Sequence, residues 1–293
     1  MKIAVTAASG RLGRVLLAKL VRDLGAGSVI GVARDPGKLD VASVEKRAGD
    51  YQSLESMAEA LAGVDVVVMI SAPVTPGTDR VAMHRNVIEA ARRAGVRKLV
   101  FTSVIGDGDA QDTMFAGTRA VNQQTESDVQ ASGLDWIVAR NGFYLELDLG
   151  HIVLADQRDG IYRNNAGDGR CGYISIDEIA EATARLAISD DCNGEVLNII
   201  GETVSQAELI ELANAVFGLK VRYEPMSAED NVARFMQDER IAARGEEVAR
   251  MLTGAFQCIA SGDLDVRPDF ERAAGRPAKP IRQQMEEHRE ALG

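Results

Sequence analysis

Aromatic residues, cysteine and histidine are all scarce in this chain. Phe, Trp and Tyr make up 4% of its 293 residues, with a single tryptophan. The three cysteines, Cys171, Cys192 and Cys258, have no close spacing, which argues against a disulfide framework and a cysteine metal knuckle. His84, His151 and His288 are just as scattered, so no metal site is expected. A reduced, cytoplasmic setting is the reading that follows. Nor is there a basic excess. Against 33 Lys and Arg stand 44 Asp and Glu, a formal net charge of -11, the wrong sign for a general nucleic-acid binder or a ligand of anionic membranes. No apolar run reaches the roughly 18 residues that a membrane helix needs. Met1-Lys2-Ile3 runs directly into a β-prone stretch, so no secretory leader is expected.

What is present is globular in character. The chain is 46% hydrophobic and 26% charged, which argues against disorder. Its length suits one large α/β domain or a domain with an added lobe. Short apolar runs at Ile3–Thr6, Val29–Ala33, Asp65–Ile70, Leu99–Thr102 and Trp136–Ala139 read as strands. Helical spacing fills the gaps, at Arg11–Asp23, Leu54–Leu61, Thr78–Ala94 and Thr113–Ala131. The run Asp-Val-Val-Val-Met-Ile is apolar on both faces, as a parallel strand covered by helices must be. The alternation predicts an α/β fold with a doubly wound parallel sheet. It weakens after about residue 142, where helices at Glu178–Ile188 and Gln206–Phe217 and strands at Val196–Ile200 and Val221–Tyr223 read as a smaller α/β lobe. The expected division is 1–150 for the sheet domain and 151–293 for the lobe, with interleaving segments.

The most informative local stretch is Thr6-Ala7-Ala8-Ser9-Gly10-Arg11-Leu12-Gly13, which follows a strand and opens a helix. Gly10 lets the backbone approach a pyrophosphate, Gly13 lets the helix sit close to the sheet, and the helix start offers free N–H groups to the anion. The spacing is that of a Gly-x-x-Gly-x-x-Gly loop with Ala7 in place of the first glycine. An ordinary β–α turn containing glycine is the alternative. The second strand ends at Ala33-Arg34-Asp35. A carboxylate there would read a ribose hydroxyl of NAD, and a cation would read the 2′-phosphate of NADP. Arg34 comes first, with Lys38 and Arg11 nearby, so NADP(H) is preferred and NAD(H) remains open. The alternative for Arg34 is a surface pair with Asp35. Asp50, after the third strand position, is placed for adenine-edge contacts or serves as a turn residue.

These residues resemble the NmrA-like, atypical short-chain dehydrogenase/reductase family, nearest to its type-2 NAD(P)H:quinone oxidoreductases and triphenylmethane-dye reductases. The loop, Val32-Ala33-Arg34-Asp35-Pro36, Gly49-Asp50-Tyr51 and Asn86-Val87-Ile88-Glu89-Ala90-Ala91 carry the likeness. So do Val100-Phe101-Thr102-Ser103, Ala139-Arg140-Asn141-Gly142-Phe143-Tyr144 and Ile174-Ser175-Ile176-Asp177-Glu178. The match covers roughly residues 1–225. The resemblance implies a Rossmann domain that binds NADPH and a C-terminal lobe that closes a substrate cleft. On it, the loop from Thr6 and Ala8 through Ser9, Gly10, Arg11, Leu12 and Gly13 would line the pyrophosphate. Arg34 would meet the 2′-phosphate, and Ser71, Ala72 and Pro73 would pass the ribose and nicotinamide. Thr102, Ser103, Asn141, Gly142 and Phe143 would border the nicotinamide end.

Typical members of the wider family carry a Tyr-x-x-x-Lys acid pair on the helix after the fourth strand. Aligning Glu126 with that helix's glutamate puts Thr118 at the tyrosine position and Asn122 at the lysine position. Without the pair, an ordinary alcohol dehydrogenase mechanism is doubtful. A strongly accepting, planar molecule needs little protein acid, because solvent can protonate its reduced form. The reading is hydride transfer from NADPH to a quinone-like or other conjugated aromatic acceptor, with Asn122 and Tyr144 as candidate catalytic residues. Val74, Ile105, Phe115, Phe143 and Tyr144 are the candidate acceptor walls. A redox sensor that binds NADP(H) without turnover is the alternative, and a homodimer is left open. The charge is uneven. Residues 1–150 carry 17 basic and 18 acidic side chains, and residues 151–293 carry 16 and 26. An acidic lobe over the cleft would suit a neutral or cationic acceptor.

Overall fold

The computed structural model describes every residue except 42, 43, 107, 109 and 293, and no side chain at 290–292. The first half follows the alternation: β1 (Ile3–Val5), α1 (Arg11–Leu24), β2 (Val29–Ala33), β3 (Glu45–Ala48), α2 (Leu54–Ala60), β4 (Val66–Ile70), α3 (Arg80–Arg93), β5 (Lys98–Val104), α4 (Ala116–Gln130) and β6 (Asp135–Asn141). Then come β7 (Phe143–Tyr144), α5 (Leu145–Asp156), β8 (Ile161–Asn164), β9 (Arg170–Ile174), α6 (Ile176–Ile188), β10 (Glu195–Ile199), β11 (Thr203–Ser205), α7 (Gln206–Phe217) and β12 (Arg222–Pro225). The tail is helical: α8 (Ala228–Met236), α9 (Glu239–Ala242), α10 (Glu246–Ala260), α11 (Phe270–Ala274) and α12 (Ile281–Leu292).

Seven parallel strands form the main sheet in the order β10-β6-β5-β4-β1-β2-β3. Because side chains alternate across a strand, each strand feeds both faces. Ile3, Val5, Val66, Val68, Val100 and Ile137 pack under α1 and α6. Ala4, Val67, Met69, Leu99, Phe101 and Val138 pack under α2 and α3. This is the doubly wound, Rossmann-like α/β fold expected.

The chain returns to this sheet after residue 150. The sequence places the Val196–Ile200 strand in the added lobe, but β10 pairs in parallel with β6, in register from Glu195 on Ile137 to Ile199 on Asn141. Helix α6 packs on α1 through a face of Ile179, Ala180, Ala182 and Leu186. Both steps are local hydrophobic completion: they cover the edge and face that the first half leaves bare. The remaining segments build the lobe from a three-stranded sheet, β11-β9-β7, a two-stranded sheet, β12-β8, and the tail helices. Its core centres on Tyr173, Phe256, Phe235, Leu149 and Ile200. Among the described residues no helix is long and apolar enough to cross a membrane.

Candidate active site

The order reverses between β1 and β4, the point where a doubly wound sheet opens a crevice beyond its strand ends. The loop after β1 turns there. Ala7 sits at φ +49, in the left-handed region that glycine favours. Gly10 is the N-cap of α1 and brings no side-chain acceptor, and the first turn has no acidic residue. The start of α1 is therefore left with outward N–H groups and a positive dipole end. A Cβ on Gly13 would stand 2.7 Å from the Ala8 Cα, so only glycine lets α1 approach the loop this closely. Since Ala7 costs backbone energy in that conformation, Ala7→Gly is expected to raise the unfolding free energy by about 0.5–1 kcal/mol in urea melts. A loss of stability would mean that the left-handed turn is not the native one.

The eight loop residues divide by role. Gly10 and Arg11 are exposed and Ser9 is half-buried, whereas Ala8 and Leu12 are core. Thr6 is fully buried and braces the strand ends: its hydroxyl donates to the Val68 carbonyl at 3.2 Å, accepts from Ile70 N–H at 3.3 Å, and touches the Tyr51 hydroxyl. Tyr51 donates to the Ile70 carbonyl at 2.7 Å. Arg14, which the motif does not include, donates to the carbonyls of Ser9 at 3.0 Å and Lys38 at 3.2 Å, joining the loop to the segment after β2.

Arg34 follows β2 and is exposed, and neither it nor Arg11 has an ion-pair partner among the described residues. Asp35 does not pair with Arg34. Its carboxylate accepts from Gly37 N–H at 3.0 Å and sits 3.8 Å from the Lys38 ammonium. The Asp50 carboxylate accepts from Gln52 N–H at 3.0 Å, as in a turn.

At the other side of the crevice, Ser71 N–H donates to the Thr102 hydroxyl at 3.2 Å, tying the ends of β4 and β5. Two buried residues of α3 hold the Ser71-Ala72-Pro73 segment. Arg80 donates to the Ala72 carbonyl at 3.0 Å and to the Ser71 hydroxyl at 2.8 Å. His84 accepts from Ala72 N–H at 2.9 Å through Nε2, and its Nδ1 lies 2.8 Å from the Thr125 hydroxyl. That hydroxyl donates onward to the Val121 carbonyl, which assigns the ring proton to Nδ1. Burial, with the adjacent Arg80 guanidinium, pushes the His84 pKa down to about 3. His84 is a neutral strut.

Ser103 donates to Glu126 at 2.6 Å, and Arg140 grips both oxygens of the same carboxylate at 3.0 and 2.7 Å. Asn122 donates from Nδ2 to the Thr118 carbonyl at 3.1 Å, while its buried Oδ1 has no partner among the described residues. Among the described residues the buried Oδ1 of Asn141 also lacks one, and its Nδ2 donates to the Tyr144 hydroxyl at 3.4 Å. Two unpaired amide oxygens at the ends of this crevice are what a missing hydrogen-bonding ligand would leave. Burial pushes the Tyr144 phenol up, so it holds its proton at neutral pH.

A cleft of about 470 Å³ opens beside α4, bordered by Val74, Thr75, Met114, Thr118, Val121 and Met251 and by the charged Asp79, Arg80, Glu247 and Arg250. Of the sequence-derived walls, Val74 borders it. Ile105 and Phe115 lie in the lobe's core, 0% and 6% exposed. Phe143 packs its ring 5.6 Å from Tyr173 and 5.7 Å from Phe256. Gly142 marks the passage from β6 into the lobe, where a Cβ would stand 2.5 Å from the Gly172 carbonyl. The sequence reading missed the contribution of α10: Met251 borders the cleft, and Arg244, just before α10, donates to the Val74 carbonyl at 3.2 Å. Among the described residues there is no cluster that could hold a metal.

A family model described as NAD(P)H-binding matches residues 7–188. Quinone oxidoreductase 2 of Escherichia coli is 29% identical over 235 residues, 79% of this chain and 80% of that protein. The NAD(P)H azoreductase of Xenophilus azovorans is 26% identical over 274 residues, 89% of this chain and 90% of that protein. The solved triphenylmethane reductase of Citrobacter sp., complexed with NADP(H), superposes with a TM-score of 0.85 at 26% identity, covering 98% of this chain and 99% of that one.

Proposed function

The chain belongs to the NAD(P)H-binding family, and from that membership we propose that this oxidoreductase passes a hydride from NADPH to a quinone-like or other conjugated aromatic acceptor. The observation that carries the reading is the wall of the cleft beside α4. Thr118 borders it with Val121, Met114 and Met251, and α4 carries neither tyrosine nor lysine along Ala116–Gln130. The cleft sets these apolar and sulfur-bearing side chains beside the charged Asp79, Arg80, Glu247 and Arg250, so it offers a flat, polarisable acceptor both a packing face and polar partners.

The residues fit the cofactor. The uncapped start of α1 and the close packing allowed by Gly13 make a cradle for a diphosphate, and Arg34 and Arg11, which have no ion-pair partner among the described residues, supply cations for a 2′-phosphate. Ser71-Ala72-Pro73, Thr102, Ser103 and Asn141 stand at the strand ends where the nicotinamide would be held. When bound, NADPH supplies a hydride, and the proton that completes a hydroquinone comes from water. Asn122 is placed to accept a hydrogen bond at its unpaired Oδ1. Tyr144 keeps its proton and acts through its contact with Asn141. Val74, Val121, Met114 and Met251 offer a surface against which the acceptor face can pack.

The test is a panel of quinones and cationic dyes mixed with protein and NADPH, followed through the cofactor's absorbance. Oxidation well above the protein-free rate for at least one acceptor is expected. Clear NADPH binding with no oxidation across the panel would overturn the reading in favour of a non-catalytic redox sensor.

A further inference from the structure

The tail reaches back into the strand-end crevice through one buried ion pair. Arg119 of α4 is 2% exposed, and its Nη2 donates to the Asp263 carboxylate at 2.7 Å. From the same guanidinium, Nη1 donates to the carbonyls of Ile105 at 2.7 Å and Gly106 at 3.3 Å, immediately after β5. The second oxygen of Asp263 accepts from Gly108 N–H at 2.5 Å. Gly106 has φ +125, and a Cβ there would lie 1.9 Å from Arg119 Nη2, so the backbone is shaped around the guanidinium. The held segment then reaches the candidate site. Ile105 N–H donates to the Asn141 carbonyl at 3.1 Å. The Gly106 carbonyl also accepts from Arg140, which grips the Glu126 carboxylate that Ser103 binds.

Helix α10 makes the same approach from the other side of this loop. Gly254 lets it come so close that a Cβ would stand 2.2 Å from the Phe115 nitrogen, and Gln257 accepts from Met114 N–H at 2.8 Å. The start of α4 is thus fixed by residues far beyond the sheet domain.

We propose that Arg119 and Asp263 are positioning residues for the reaction. The tail's carboxylate orients the guanidinium, and the guanidinium sets the backbone after β5 against Asn141. This rests on the reading that the nicotinamide end of the cofactor lies at the ends of β5 and β6. The pair touches neither cofactor nor acceptor, so its loss should disturb the alignment for hydride transfer more than it disturbs cofactor affinity.

The test compares wild type with Asp263→Asn, and with Arg119→Lys, which keeps the charge but cannot span the carbonyls and the carboxylate together. Without cofactor, hydrogen exchange of the peptide covering 104–118 is expected to speed up by roughly tenfold or more in both variants, the sign of a released loop. With cofactor, the NADPH Kd is expected to stay within about threefold, while kcat per folded molecule falls roughly ten- to hundredfold. The isotope effect from NADPH deuterated at C4 should rise, because misalignment makes hydride transfer rate-limiting. Unchanged exchange in 104–118 would overturn the proposal. So would a loss of kcat that follows the folded fraction with an unchanged isotope effect. Should Asp263→Asn fail to fold, Arg119→Lys carries the same readouts. If wild type oxidises no NADPH with any acceptor, the reductase reading falls, and the exchange measurement still decides whether the pair holds the loop.

Discussion

Lowering the pH from 7 to 4 is expected to remove about 3 kcal/mol of stability through His84 alone, and His84→Gln is expected to flatten that dependence. His84 is fully buried, and its pKa falls from the ordinary 6.5 to about 3. Between those values the unfolded chain takes up a proton that the folded protein refuses. Stability therefore rises with pH through this window, is complete above about pH 6.5, and is lost as the pH falls, with a slope of up to about 1.4 kcal/mol per unit. A proton on Nε2 would also replace the acceptor that Ala72 N–H uses, with Arg80 already alongside. Burial also raises the carboxyls of Asp148 and Glu146, which makes the folded protein hold protons more readily at those sites. They are common to both proteins, so the comparison isolates the histidine. Urea denaturation at a series of pH values measures it. Parallel curves for the two proteins would contradict a neutral, buried His84.

Arg34→Ala is expected to weaken NADPH binding by about 1.5–3 kcal/mol, the scale of a hydrogen bond to a charged group. That is roughly a ten- to hundredfold rise in Kd. NADH binding should hardly change. Arg34 stands at the end of β2, where the ribose of a dinucleotide is read, and Asp35 is occupied by Gly37 and Lys38. Its guanidinium is therefore available to a phosphate without first breaking an ion pair. Titration of both cofactors by fluorescence decides the matter, and an equal loss for both would remove Arg34 as the reader of the 2′-phosphate.

The parts of this molecule that sequence reveals are those whose physics is local. The Asp65–Ile70 run could only be a strand covered on both faces, and it is. The loop from Thr6 to Gly13 needs small residues in a set order, and that order is visible even with Ala7 taking the left-handed position. Strand β3 is hard to see because it is an edge strand of Glu-Lys-Arg-Ala, polar and mostly exposed, with no apolar alternation to mark it. Strand β10 looks like any short apolar strand, and only tertiary pairing decides that it extends the main sheet. The struts are less legible still. His84, Arg80 and Arg14 act through single contacts to backbone carbonyls and amides, which leave no spacing pattern. Arg119 and Asp263 are separated by 144 residues. The acceptor walls show the same limit: Ile105 and Phe115 have the right neighbourhood in sequence, yet their side chains point into the lobe's core, and Met251 comes from a tail helix that no motif marks.

On the proposed function, a hydride passes directly from NADPH to a conjugated acceptor at the cleft beside α4. The most direct measurement uses NADPH deuterated at the transferring face of C4 and a triarylmethyl cation as acceptor, with the product analysed by mass spectrometry. In that acceptor the hydride ends on carbon, where it does not exchange with water. A reduced product one mass unit heavier is expected, formed in proportion to the cofactor consumed. Reduced dye without the deuterium, or no reduction by protein saturated with NADPH, would contradict it.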